Sequence, residues 1–174
     1  MSIEKRKYAF KLIIVGESGV GKTSLVRRYT ENIFDETVNH TISDNYFNSE
    51  MNFFSGSTAQ LQLWDFGGQA KHGYLLNNFV AGARGALLLL DMTRDLKVTN
   101  ILEWVNIVRM HDMSLPIILV GTKCDLKDSI IVKDEDIQHI KEIFRFIDYI
   151  PTSAKYSVNI FKVFYRIIKY LIER

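Results

Sequence analysis

The segment that most restricts this chain is Gly16-Glu17-Ser18-Gly19-Val20-Gly21-Lys22-Thr23, which follows the apolar block Leu12-Ile13-Ile14-Val15. It fits the pattern G-x-x-x-x-G-K-[ST] and lies where the mechanism needs it, between a strand and a helix. Leu25, Val26, Tyr29 and Ile33 mark one face of that helix. The glycines let the backbone curl so that successive N–H groups converge on an anion. The positive end of the helix adds to the same field. Lys22 supplies a point charge for phosphate oxygens, and the Thr23 hydroxyl is a hard oxygen suited to Mg²⁺. A glycine-rich turn with a chance Lys-Thr is the bland alternative, and the flanking elements count against it.

The rest of the chain alternates in the same way. Residues 46–54 and 59–65 read as strands joined by a hairpin at Ser55-Gly56-Ser57. Residues 66–83 are glycine-rich and predict no regular element. Gly85 to Leu90 and Ile117 to Val120 are apolar runs that predict buried strands, and Phe146 to Ile150 a short last one. Between and after them, Ile101, Leu102, Val105 and Val108, then Ile137, Ile140 and Phe144, recur at helical spacing. The final helix is expected to turn Ile160, Phe161, Phe164, Ile167, Ile168 and Leu171 inward. The fold class is therefore α/β, a mostly parallel sheet with one antiparallel edge strand and helices on both faces, and with the Gly16–Thr23 loop after its first strand it resembles the P-loop NTPase fold. Residues 1–174 are expected to form a single domain. In such a sheet ligands bind beyond the carboxyl ends of the strands, so the chemistry belongs just after residues 15, 65, 90, 121 and 151.

Composition narrows the setting. The formal net charge of +2 is too small to suggest nucleic-acid binding, and one cysteine, Cys124, excludes a disulfide-stapled scaffold. No apolar run approaches the roughly 20 residues of a membrane helix. Ser at position 2 excludes myristoylation, and no membrane anchor is visible in the chain. A cytoplasmic monomer is expected, with peripheral membrane placement only through partners or a further tail. His40, His72, His111 and His139 are scattered and do not predict a metal site.

After the 117–120 strand comes Gly121-Thr122-Lys123-Cys124-Asp125. A carboxylate there can accept from guanine N1–H and its exocyclic amine, a donor pair that adenine lacks on that edge. Asp125 would thus select guanine, and the Lys123 stem can lie along the ring face.

With these residues in place the sequence resembles the Ras-like small GTPases over essentially its whole length. The motifs occur in order: Gly16 to Thr23, Thr41, Trp64-Asp65-Phe66-Gly67-Gly68-Gln69, Thr122 to Asp125, and Thr152-Ser153-Ala154-Lys155. The resemblance implies a six-stranded sheet with five helices that binds GTP and GDP with Mg²⁺. It implies nucleotide contacts from Glu17, Ser18, Gly19, Val20, Gly21, Lys22, Thr23 and Ser24, and from Thr122, Lys123, Asp125, Ser153, Ala154 and Lys155. Phe34 would set an aromatic edge against guanine, with a plain core Phe as the alternative. Thr41 would reach Mg²⁺ through its hydroxyl and the γ-phosphate through its N–H. Asp65 would hold Mg²⁺ through a water, completing a metal set of Thr23, Thr41 and Asp65. Gly68 would donate to the γ-phosphate and Gln69 would orient the attacking water, so Gln69, Lys22, Thr41 and Gly68 form the catalytic group.

Segments 34–43 and 65–80 would act as switches that present the bound nucleotide to effectors, GTPase-activating proteins and exchange factors. The phosphate loop resembles Rab proteins, whereas the double glycine 67–68 resembles the Arf-like branch; Ala70 and Thr122 also depart from the Rab pattern. The chain therefore looks like a divergent Rab-like protein with an Arf-like second switch. Residues 35–43 contain no arginine, so slow unassisted hydrolysis is expected. A GTP-binding scaffold with little hydrolysis is the alternative, and an ATP-dependent P-loop enzyme a third. Trp64 stays open between an exposed patch for effectors and ordinary core packing.

Overall fold

The computed structural model describes residues 5–36, 45–53, 56–67 and 74–174. Among them, strands β1 (Lys7–Gly16), β2 (Asn45–Asn52), β3 (Thr58–Asp65), β4 (Gly85–Asp91), β5 (Ile117–Thr122) and β6 (Asp148–Pro151) form one sheet. Its order is β2-β3-β1-β4-β5-β6. Only β2 runs antiparallel, paired with β3 at the edge, as expected from the hairpin. The α-helices among the described residues are α1 (Lys22–Glu31), α2 (Tyr74–Val80), α3 (Val98–Val108), α4 (Asp134–Phe144) and α5 (Ile160–Glu173).

The central strands are apolar at consecutive positions because both of their faces are covered. Alternate residues serve opposite cores. Leu12, Ile14, Leu87, Leu89, Ile118 and Val120 pack with α1 and α5. Ile13, Val15, Ala86, Leu88, Ile117 and Leu119 pack with α2, α3 and α4. The register aligns the carboxyl ends: Ile14 pairs with Asp65, Gly16 with Leu89, Asp91 with Thr122 and Gly121 with Pro151.

Four local expectations are corrected. Helix α1 stops at Glu31 because Asn32 adopts φ 56°, a left-handed cap, so Ile33 is exposed rather than on the buried face. Helix α2 occupies part of 66–83, where glycine content predicts none; Leu76, Phe79 and Val80 bury against the sheet and outweigh the local signal. In α3 the inward stripe is Ile101, Trp104, Val105 and Val108, while Leu102 is exposed. In α5 it is Ile160, Val163, Phe164, Ile167 and Ile168, at the i, i+3, i+4, i+7, i+8 spacing, and Phe161 is turned outward.

Candidate nucleotide site

The phosphate loop leaves β1 at a point of close approach. Gly16 has φ 141°, and a Cβ there would sit 2.4 Å from the Leu89 carbonyl oxygen. Gly21 caps α1 with φ 99°, a conformation that L side chains rarely adopt. The Lys22 ammonium folds back over the loop and donates to the carbonyls of Gly16 and Glu17, each at 2.9 Å. Burial pushes its pKa down, against the opposing charges of Asp65 and Glu17. The Thr23 hydroxyl donates to the Asp65 carboxylate, which is fully buried at the end of β3.

A hydroxyl beside a buried carboxylate is a hard oxygen pair, the donor chemistry that Mg²⁺ prefers. Among the described residues no group of three or more His, Cys, Asp or Glu could hold a metal on its own. Any ion here would therefore depend on phosphate and water oxygens as well, as Mg²⁺ sites commonly do.

The base end is built from β5 and the loop after β6. The Thr122 hydroxyl donates to the Val20 carbonyl at 2.7 Å and lies 3.1 Å from that of Leu90, which ties this wall to the phosphate loop. Lys123 adopts φ 60°, and its ammonium lies 2.7 Å from the buried Asp91 carboxylate. The Cys124 N–H donates to the Thr152 carbonyl at 3.0 Å. Burial pushes the Cys124 thiol up, which suits a structural role better than a nucleophile. Arg28 on α1 donates to the Ala154 carbonyl at 2.7 Å and to that of Lys155 at 3.2 Å. Its guanidinium also stands 5.9 Å from the Phe34 ring centroid. The Lys155 ammonium pairs with Glu36 at 2.5 Å.

These walls enclose a cavity of about 300 Å³. Ser18, Gly19, Val20, Gly21, Lys22, Thr23 and Ser24 line its phosphate end, and Thr122, Lys123, Asp125, Ala154 and Lys155 its other end. Phe34 lines it too and is half-buried, so it is not a plain core residue. Two expected residues turn their side chains elsewhere. The Glu17 carboxylate accepts from the Trp104 indole N–H at 3.0 Å, and the Ser153 hydroxyl accepts from the Tyr156 N–H at 3.2 Å. Thr41, Gly68 and Gln69 lie outside the described residues.

Sequence reading does not find Arg28, Asp91, Arg94 or Trp104. Asp91 alone leaves a signal, because it ends a strand at a position where chemistry is expected. Trp64 falls between its two readings. It packs on the core beside Phe79, at 5.7 Å between centroids, while Tyr46 and the Lys11 ammonium meet its outer side.

A glycine-rich loop hung on the central strand, closed by a lysine and facing a base-sized pocket, defines a P-loop protein of the small GTPase type. The chain matches the Ras family over residues 11–173. It is 35% identical to Ras-related protein YPTC6 of Chlamydomonas reinhardtii, covering 92% of this chain and 74% of that one. It is 34% identical to Ras-related protein RABA2a of Arabidopsis thaliana (95% and 76%). Against Ras-related protein Rab-3C of Bos taurus the identity is 30% (96% and 73%). The chain belongs to the Ras family and is a Rab-like small GTPase.

Proposed function

We propose that this protein is a guanine-nucleotide switch that binds GTP and GDP with Mg²⁺ and slowly hydrolyses GTP to GDP and phosphate. One observation carries the reading: a single cavity joins the Lys22 cradle to the Asp125 carboxylate. Asp125 would accept from guanine N1–H and its amine, and the Lys123 stem would cover the ring. The N–H groups of the loop and Lys22 would hold the phosphates. Thr23, with Asp65 behind it and Thr41 from the first switch, would hold Mg²⁺, whose positive charge would offset that of the bound phosphates. Gly68 and Lys22 would stabilise the charge spreading over the γ-phosphate, and Gln69 would orient water in line.

Loss of the γ-phosphate would release the Thr41 and Gly68 tethers and change the surface offered to effector, activating and exchange proteins. Tyr46 and Trp64, which meet edge-to-face at 5.4 Å, lie beside both switches in sequence and would contribute to that surface. No helix among the described residues is long and apolar enough to cross a membrane, so membrane placement would come through partners or a tail.

The test is displacement of fluorescent GDP from the purified protein. GTP is expected to compete and ATP to fail; equal competition by ATP overturns the guanine reading. Phosphate release then separates a hydrolase from a scaffold. Turnover on the order of 10⁻⁴ to 10⁻² per second is expected without assistance, and none at all, even with cell extract, favours the scaffold.

A further inference from the structure

We propose that Asp91 is a positioning residue that fixes Lys123 against the base end of the cavity and couples it, through Arg94, to the phosphate loop. The inference rests on the guanine-nucleotide reading and goes beyond it, because Asp91 is not among the residues that line the cavity.

Asp91 is the last residue of β4, and its side chain is 1% exposed. A carboxylate at that depth is costly unless paired and hydrogen-bonded. Here both oxygens are engaged. Oδ1 accepts from the Thr93 N–H at 2.9 Å and the Thr93 hydroxyl at 2.7 Å, which fixes the carboxylate plane. Oδ2 faces the Lys123 ammonium at 2.7 Å and Arg94 Nε at 3.1 Å. Burial pushes the Asp91 pKa up, but the bonds from Lys123 and Thr93 prevail and hold it below the usual carboxylate range.

The two cations lead to the two halves of the site. Lys123 sits in the left-handed region at φ 60°, a conformation that persists at a functional residue only when its surroundings over-determine it. The short ion pair to Asp91 is one such restraint, because a lysine head otherwise swings on four rotatable bonds. On the other side, Arg94 Nη1 donates to the Ser18 carbonyl at 2.9 Å, and Ser18 lines the phosphate end of the cavity. A single buried charge thus sits on a continuous path, Lys123–Asp91–Arg94–Ser18. Neutralising it frees the lysine that would cover the ring, and losing Arg94 loosens the carboxylate's anchorage to the Ser18 carbonyl and, with it, its hold on that lysine.

The test is the release rate of N-methylanthraniloyl-GDP from the full chain, with Mg²⁺ and excess GDP, in wild-type and Lys123→Ala backgrounds. Asp91→Asn is expected to speed release about tenfold in the first and by less than about twofold in the second, since a residue acting through Lys123 has nothing left to position. Arg94→Gln is expected to speed it about threefold in the first background only. Equal effects of Asp91→Asn in both backgrounds, or none in either, overturn the proposal. Should Asp91→Asn fail to fold, the partly exposed Arg94 provides the same comparison, and equal effects of Arg94→Gln in both backgrounds overturn the proposal likewise. A wild-type protein that never binds the labelled GDP defeats the guanine reading and takes this proposal with it, a result distinct from additivity.

Discussion

The indole N–H of Trp104, on α3, donates across 3.0 Å to the carboxylate of Glu17 in the phosphate loop. Trp104 is 1% exposed and meets Phe66 edge-to-face at 5.9 Å. One ring therefore braces the loop and the first residue beyond β3 at once. Trp104→Phe keeps most of the packing and removes the donor. A loss of about 1–3 kcal/mol in urea unfolding is expected, the range for a bond to a charged group plus a small void. Glu17→Gln keeps an acceptor oxygen and should cost less than Glu17→Leu.

Gly16→Ala is expected to be severe. Its Cβ would overlap the Leu89 carbonyl, and the backbone at φ 141° disfavours any side chain. A cost of about 3 kcal/mol or more follows, which in a chain of this size lowers the melting temperature by roughly 6–12 °C. An unchanged melting temperature would mean that the loop leaves β1 by another path.

Asp125→Asn should exchange guanine preference for xanthine preference, because an amide can donate where the carboxylate could only accept. The measurement is competition by XDP and GDP against a labelled nucleotide. A variant that still prefers GDP would remove Asp125 from base recognition.

Gln69→Leu should slow single-turnover GTP hydrolysis by about tenfold or more while leaving GTP affinity near wild type, as expected for a residue that orients water rather than binds nucleotide. Unchanged turnover would take Gln69 out of the mechanism.

Tyr149 gives a pH prediction. Burial, with the charges of Asp134 and Cys124, pushes its phenol from an ordinary value of 10.0 up to about 12, and its hydroxyl points at the Met92 sulfur at 3.2 Å. The neutral form is favoured by the fold, so its contribution to stability is complete below about pH 10 and is lost as pH rises toward 12. Absorbance titration at alkaline pH should show this tyrosine ionising last, and Tyr149→Phe should flatten the fall in stability over that interval.

Much of the site is legible in the sequence because its chemistry is written in short, contiguous motifs. The run from Gly16 to Thr23 and the Asp125 segment each announce a backbone shape and a charge together, and the alternation of apolar strands with helices says where they will meet. The supporting groups are another matter. Arg28 and Trp104 act on loops 126 and 87 residues away in the chain, and Asp91 on a lysine beyond the whole of the next strand. No local pattern marks a side chain whose partner is that distant. Helix α2 escapes the sequence for a similar reason: Leu76 and Phe79 are helical through their burial against the sheet, not through propensity. Phe161 misleads because a two-sided reading of α5 cannot tell the edge of the stripe from its centre.

The place of β1 in the sheet carries a last consequence. It is laddered on both sides, by β3 and by β4, whereas among the described residues β2 and β6 are each paired on one side alone. In amide hydrogen exchange the outer strands should open first and β1 among the last. The turn that starts at Gly16 is then moored to the slowest-opening part of the molecule, so fraying at either rim can come and go without disturbing its anchorage.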